Sequence, residues 1–181
     1  MRKNLGKKMM ITPQPVLMIG TYDENGKANV MNAAWGGQYD YDKIVISLSE
    51  HKTTDNLRLK KEFTVSFATK DTEKISDYFG MVSGRTEDKI AKSGVHVRKS
   101  EFVDAPIIEE YPLTVECKLV SFEDGILIGE VVNTNCDEKI LNEEGKVDLA
   151  KFEPIVFDSF MEKYRVVGDI VGNAFKDGLS L

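Results

Sequence analysis

The sequence predicts a mainly β protein, an antiparallel barrel with a few helices inserted or packed outside it. Three observations carry that expectation. Apolar and polar residues alternate through Lys43–Ser49, Glu62–Ala68 and Leu113–Leu119, the period of a half-buried strand. Asn25-Gly26 and Asp124-Gly125 punctuate the pattern, and both dipeptides tolerate the positive φ of tight hairpins. The spacing of strand-helix-strand crossovers is absent, so the strands pair as hairpins.

Taken in order, Val16–Tyr22 reads as an apolar first strand, and Asp23-Glu24-Asn25-Gly26 turns it back into Lys27–Trp35. Lys43–Ser49 follows, with Ile44, Ile46 and Leu48 on one face. Thr53–Lys61 reads as a short polar-faced helix that turns Leu57 inward, and Glu62–Ala68 as a strand with Phe63, Val65 and Phe67 on one face. Thr72–Val82 places Ile75, Tyr78, Phe79 and Val82 at helical spacing behind a Thr N-cap. Thr86–Ser93 is a third helix, stopped by Gly94. Leu113, Val115, Cys117 and Leu119 share a strand face, Asp124-Gly125 returns the chain through Ile126–Asn133, and Ile155–Phe157 is a late strand. Pro106–Tyr111 reads as a loop, Gly36-Gly37 as a turn, and the glycine-spaced segment after Tyr164 as a wandering tail.

The 181 residues are 41% hydrophobic and 30% charged, with a formal net charge of −6. One domain over 1–181 is expected, with no repeat or linker, burying roughly 70% of its unfolded surface. An acidic balance argues against a broad nucleic-acid-binding surface. No apolar run approaches the ~20 residues that span a bilayer. No signal-peptide core follows Lys7-Lys8, so neither membrane nor export is indicated and a cytoplasmic location is expected. Cys117 and Cys136 form no CxxC, and neither His51 nor His96 has a partner at metal-ligand spacing. A structural metal is therefore not expected, and both thiols are expected to be buried or half-buried.

Three stretches carry chemistry. In Ser47–Asn56 a strand ends where a helix begins. The free N–H groups of that helix end, its macrodipole, Lys52 and the flanking hydroxyls suit a phosphate; a plain cap beside a solvated lysine is the other reading. In Ser83-Gly84-Arg85-Thr86-Glu87-Asp88-Lys89, Arg85 offers a fork of donors and Lys89 follows one helical turn later, so both can reach one anion. A surface salt-bridge cluster is the alternative. In Asn29–Gly37, small residues and two asparagines stand where large side chains are expected, which lets a flat ligand approach the backbone beside Trp35. A tapered barrel strand is the alternative. No GxSxG elbow or certified carboxylate pair supports hydrolytic catalysis, and His51 reads as a capping or surface residue.

Together these segments resemble the flavin reductase-like family of FMN-binding split β-barrels, of the flavoredoxin type. The matching stretches are Pro13–Val16 through Ile19–Thr21, Asn29–Trp35, Ser47–Asn56, Phe63–Phe67 and Ser83-Gly84-Arg85 with Asp88-Lys89. Ile128–Val132 and Tyr164–Gly168 complete the match over about residues 10–175. The resemblance implies an antiparallel split barrel of the Greek-key type, a homodimer, and a non-covalent FMN that passes electrons or hydride. It implies that Asn32, Ala33, Ala34 and Trp35 lie along the isoalloxazine, and that Ser47, Leu48 and Ser49 meet the ring edge or ribityl chain. Lys52, Thr53 and Asn56 would hold the phosphate, with Ser83, Arg85 and Lys89 closing over it, and no side chain need act as acid or base. NAD(P)H or a redox protein is the implied electron donor. Related reductases carry Gly-Asp-His before the Ile-Gly-Glu-Val strand, whereas this chain reads Phe122-Glu123-Asp124-Gly125-Ile126. That departure tilts the expectation toward an electron carrier, with a flavin-storing or non-catalytic binding module as the alternative.

Overall fold

The computed structural model describes residues 1–9 and 11–180. Its strands and helices, in chain order, are β1 (Gln14–Pro15), β2 (Leu17–Tyr22), β3 (Ala28–Ala33), β4 (Gly36–Asp40), β5 (Lys43–Ser47), α1 (Lys52–Lys60), β6 (Glu62–Phe67), α2 (Glu73–Met81) and α3 (Lys89–Ser93). They continue with β7 (Val97–Lys99), β8 (Pro106–Ile108), β9 (Leu113–Glu123), β10 (Ile126–Cys136), α4 (Leu149–Phe152), β11 (Ile155–Asp158) and β12 (Lys163–Val166).

Seven strands form one antiparallel sheet in the order β3-β2-β6-β9-β10-β5-β4. Its two edges, β3 and β4, are consecutive in the chain and separated only by Ala34 and Trp35. The three Cα steps from Ala33 to Gly36 span at most ~11 Å, so the sheet must curl until its edges come together. They do: Leu17 pairs with Ala33 on one side of the seam and Gly36 with Ile46 on the other. A Cβ on Gly36 would lie 3.0 Å from Leu17 Cδ1 and 2.8 Å from the Val45 carbonyl oxygen. Away from the seam the curl gapes. A hollow of about 540 Å3 opens there, lined by Pro15, Phe67, Val115, Val131 and the β4–β5 turn. The barrel is closed at one end and split at the other.

Strand alternation fills the barrel. Leu17, Ile19, Met31, Ala33, Ile44, Ile46, Phe63, Val65, Cys117 and Leu127 converge on one core with Leu48 and Leu57, since every second residue of a strand faces the same way. The opposite face of β2 and β3 makes a second core: Val16, Met18 and Val30 pack with Phe79 of α2, Ile108 of β8 and Ile155 of β11. Strand β2 is thus buried on both faces, which explains its unbroken apolar run. A small sheet, β1-β11-β12, flanks this second core.

The turns form for local reasons. Asp23 Oδ1 accepts the Asn25 and Lys27 amides at 2.9 Å each, and Gly26 takes φ +76°. Asp124 and Gly125 both have positive φ, 51° and 78°, the twist that suits a two-residue hairpin. Helix α1 ends where Lys61 adopts φ 59° and donates its amide to the Leu57 carbonyl at 3.0 Å.

Several expectations are corrected. Gly36-Gly37 opens β4 instead of making a turn, because edge closure needs a residue without Cβ there. Pro106–Tyr111 is no simple loop: β8 pairs with β7 and covers the second core. The tail contains β12, paired with β11. Helix α3 starts at Lys89, not Thr86, because Asp88 caps it by accepting the Ala91 amide at 3.1 Å. Cys117 is buried, but Cys136 at the end of β10 is exposed. Strands β9 and β10 run longer than the pattern suggested, and two register shifts let the pair bend around the barrel.

Gly129 tests the packing. A Cβ there would stand 2.4 Å from Phe63 Cζ, and Phe63 is fully buried. Gly129→Ala is expected to cost about 1–3 kcal/mol, the range for overpacking a full core, read as a lower urea midpoint with an unchanged denaturant slope.

Candidate functional site

Three contiguous cavities form one groove along the outside of the seam. The first, about 270 Å3, is lined by Asn32, Ala33, Ala34, Trp35, Ser47, Leu48 and Ser49, with Met31 and His51. The second, about 80 Å3, shares Met31, Asn32 and His51 with it and adds Lys52, Thr53, Ser83, Gly84 and Lys89. The third, about 100 Å3, shares Asn29, Lys52, Gly84 and Lys89 with the second and ends at Asp23, Lys27, Glu87 and Asp88. The groove therefore runs from a shallow cleft with apolar patches to a small polar pocket.

Each wall has a local cause. Ala34 and Trp35 are the link between the sheet edges, so they cannot turn into the core, and Trp35 is 69% exposed. Its carbonyl accepts the Ser47 amide at 2.7 Å, which ties the link to β5. Asn29 donates Nδ2 to Thr53 Oγ1 at 2.8 Å, pinning β3 to the start of α1. Asn32 Nδ2 donates to the Ser76 carbonyl at 3.0 Å, pinning β3 to α2. The turn after α2 sits directly on Asn29: a Cβ on Gly84 would lie 2.0 Å from Asn29 Oδ1. No side chain fits at position 84, so the backbone itself forms that wall.

The charges at the polar end divide sharply. Lys52 Nζ lies 3.4 Å from Glu24 and 3.9 Å from Asp23. Lys27 pairs with Asp88 at 2.9 Å, and Lys92 pairs with Glu87. Lys89 has no carboxylate partner among these pairs. It is 4% exposed, and its Nζ donates to the Phe79 carbonyl at 3.1 Å. Burial pushes its amine down to about 8, because a desolvated ammonium without a counter-ion is disfavoured. At the rim, Arg58 grips both oxygens of Glu50 at 2.7 and 2.5 Å and lies 4.9 Å over the Phe122 ring. That hydrogen bonding holds the Glu50 carboxyl at about 2.

Eleven of the sequence-selected residues line the groove: Asn32, Ala33, Ala34, Trp35, Ser47, Leu48, Ser49, Lys52, Thr53, Ser83 and Lys89. Two do not. Asn56 is on the buried face of α1 and donates Nδ2 to Thr21 Oγ1 at 3.0 Å. Arg85 turns back onto Asp55 at 2.9 Å and shares no cavity with Lys52. The expectation that Arg85 and Lys89 reach one anion from consecutive helical turns is corrected, because α3 begins only at Lys89. Asn29, His51 and Gly84 are lining residues that were not selected. Asn29 was visible as the first of two asparagines in an odd strand, whereas the contact of Gly84 with Asn29 joins segments 55 residues apart and left no local trace.

A polar pocket with a buried lysine is thus joined to an open cleft beside an exposed tryptophan on a split barrel. Residues 9–158 match the family model for the flavin reductase like domain. The chain belongs to that family. A flavoredoxin of Desulfovibrio vulgaris (Miyazaki F) superposes with a TM-score of 0.95 at 34% identity, covering 98% of this chain and 100% of that one. A flavoredoxin from Methanosarcina acetivorans gives a TM-score of 0.89 at 28% identity, covering 99% and 98%. The uncharacterised Escherichia coli protein YddH is 27% identical over 139 residues, 71% of this chain and 74% of its own.

Asn56 separates scaffold from groove. Asn56→Ala leaves the buried Thr21 hydroxyl unpartnered and is expected to cost about 1–3 kcal/mol of unfolding free energy. Chemical denaturation measures the loss.

Proposed function

We propose that the chain is a flavoredoxin-like redox protein that holds FMN non-covalently in the seam groove. The observation that carries this reading is Lys89, a buried ammonium in the lining of the polar pocket with no ion pair among the described residues. An uncompensated buried charge is costly, and a phosphate monoester supplies the missing partner. The donor set fits FMN. Lys89, Lys52, the Ser83 hydroxyl and the backbone at Gly84 suit a dianion, and the cleft beside Ala33, Ala34 and Trp35 suits a flat ring. The match to a flavin reductase like domain and the flavoredoxin likeness support the same assignment.

Bound FMN would supply hydride or single-electron transfer. The chain's own part is to bind and orient. Ser47 and Ser49 offer hydroxyl donors along the cleft, Asn32 is held still by Ser76, and Trp35 shields one side from water. No side chain is assigned as acid or base. The β9–β10 hairpin reaches the groove rim, where the Leu48 amide donates to the Gly125 carbonyl at 2.7 Å. It presents Phe122, Glu123 and Asp124 there, with Phe122 covered by the Arg58–Glu50 pair. Without a histidine in the Phe122–Ile126 stretch of this hairpin, a redox protein is the favoured electron donor. A flavin-storing module is the second reading, supported by the same substitution. Anaerobic mixing of the FMN-loaded protein with NADH or NADPH separates them. Slow bleaching of the flavin band, with fast reduction by a redox protein, supports the carrier. No reduction by either supports storage, and rapid bleaching by a nicotinamide supports a reductase.

The purified protein is expected to show a flavin spectrum, or to gain one on adding FMN. Lys89→Met should weaken FMN by roughly 10- to 150-fold, the cost of losing about 1.5–3 kcal/mol of charge-assisted hydrogen bonding. Arg85→Ala should cost under ~1 kcal/mol, because its side chain is an exposed partner of Asp55. Equal losses in the two variants would place the phosphate elsewhere.

We also infer a homodimer. Val166, Val167, Ile170, Val171 and Phe175 are large apolar residues left exposed along the tail, the kind of side chain that a second subunit would cover. Light scattering is expected to give twice the chain mass. Deleting residues 166–180 should shift it toward the monomer.

A further inference from the structure

Resting on the flavin reading above, we propose that cofactor seating is proton-coupled: a phosphate monoester enters the groove together with one proton taken up by the Lys89 amine. The geometry isolates that amine. It is buried, it lines both polar cavities, and among the described residues its hydrogen-bond acceptor is the uncharged Phe79 carbonyl. The Phe79 ring, 5.8 Å away, is its other close neighbour on α2.

The charged groups around the same cavities do not neutralise it. From α1 come His51, at its start, and Lys52, which is held by Glu24 and Asp23. From the β2–β3 turn come Asp23 and Lys27, and Lys27 is held by Asp88. From the segment before α3 come Glu87, held by Lys92, and Asp88. Strand β3 contributes the neutral Asn29. The acids are thus each engaged by a base other than Lys89.

With its amine lowered to about 8, Lys89 is largely neutral in the free protein at mildly alkaline pH. A phosphate monoester is a dianion there, its second pKa being about 6. Its arrival stabilises the ammonium, so the amine takes a proton from solvent: R–NH2 plus H+ becomes R–NH3+, with no electron moved. By linkage, affinity must then fall as pH rises above about 8, by up to about tenfold per pH unit.

Calorimetry tests this without turnover. FMN is titrated into the protein in buffers of different ionisation enthalpy, and the slope of heat against that enthalpy counts protons. Uptake is expected to approach one per FMN near pH ~9 and to fall toward zero near pH ~6.5. Riboflavin, which lacks the phosphate, is expected to bind with little uptake at either pH. Lys89→Arg keeps a permanent charge and is expected to bind FMN with no uptake near pH ~9. FMN binding without buffer-dependent heat in the unmodified protein at that pH overturns this inference alone. Uptake that survives in Lys89→Arg also overturns it, since it then belongs to another group. Failure of FMN to bind at any pH overturns the flavin reading itself. The unmodified protein's pH series decides the matter even if the arginine variant does not fold.

Discussion

The chain passes from one edge of a seven-stranded sheet to the other in two residues, Ala34 and Trp35. Much of the site depends on that short tether. It forces the sheet to curl, and it makes Gly36 the point where a side chain would collide with Leu17 and the Val45 carbonyl. It also leaves Trp35 no route inward, so a large aromatic surface stands in the open beside small residues. The groove lies along the seam because only there do the end of β3, the end of β5 and the start of α1 come together.

A second constraint is electrostatic. Along the polar end of the groove, Lys27, Lys52 and Lys92 are each matched with acids, and at its margin Arg85 and Arg58 are too. Such exposed pairs contribute little to stability individually, but an anion that draws on one of these cations shares it with an acid. Of these cations Lys89 alone is carried beneath the surface by α3, where its amine meets the Phe79 carbonyl and ring face. A site whose other charges are already balanced responds to an anion chiefly through the one cation that is not. That is why the expected effects of changing Lys89 and Arg85 differ so widely, although the two stand four positions apart.

The barrel was legible because its strands alternate with unusual consistency. Ile44, Ile46 and Leu48, then Phe63 and Val65, face one core as their spacing implies. The elements that escaped were short or set by partners. Strand β4 begins at two glycines that look like a turn, β8 begins at a proline that looks like a loop, and β12 runs into a glycine-spaced tail. Each forms because another strand is already there to accept its hydrogen bonds, and a single segment carries no record of that. The site was legible as three separate stretches, and eleven of their selected residues meet in one groove. Asn56 and Arg85 share the polarity of the lining residues and differ only in direction, which helix phase and a nearby Asp55 determine.

By itself the sequence determined the alternating strands, the tight hairpins at Asn25-Gly26 and Asp124-Gly125, and which stretches were rich in phosphate-type donors. These are properties of neighbouring residues, set by backbone sterics and by the period of two along a strand. Tertiary structure alone decided that β3 and β4 meet as opposite edges, that Gly84 rests on Asn29, and which cation of the groove is buried away from the acids. Those outcomes depend on distances between segments far apart in the chain, and only the closed curl of the sheet brings such segments within contact range.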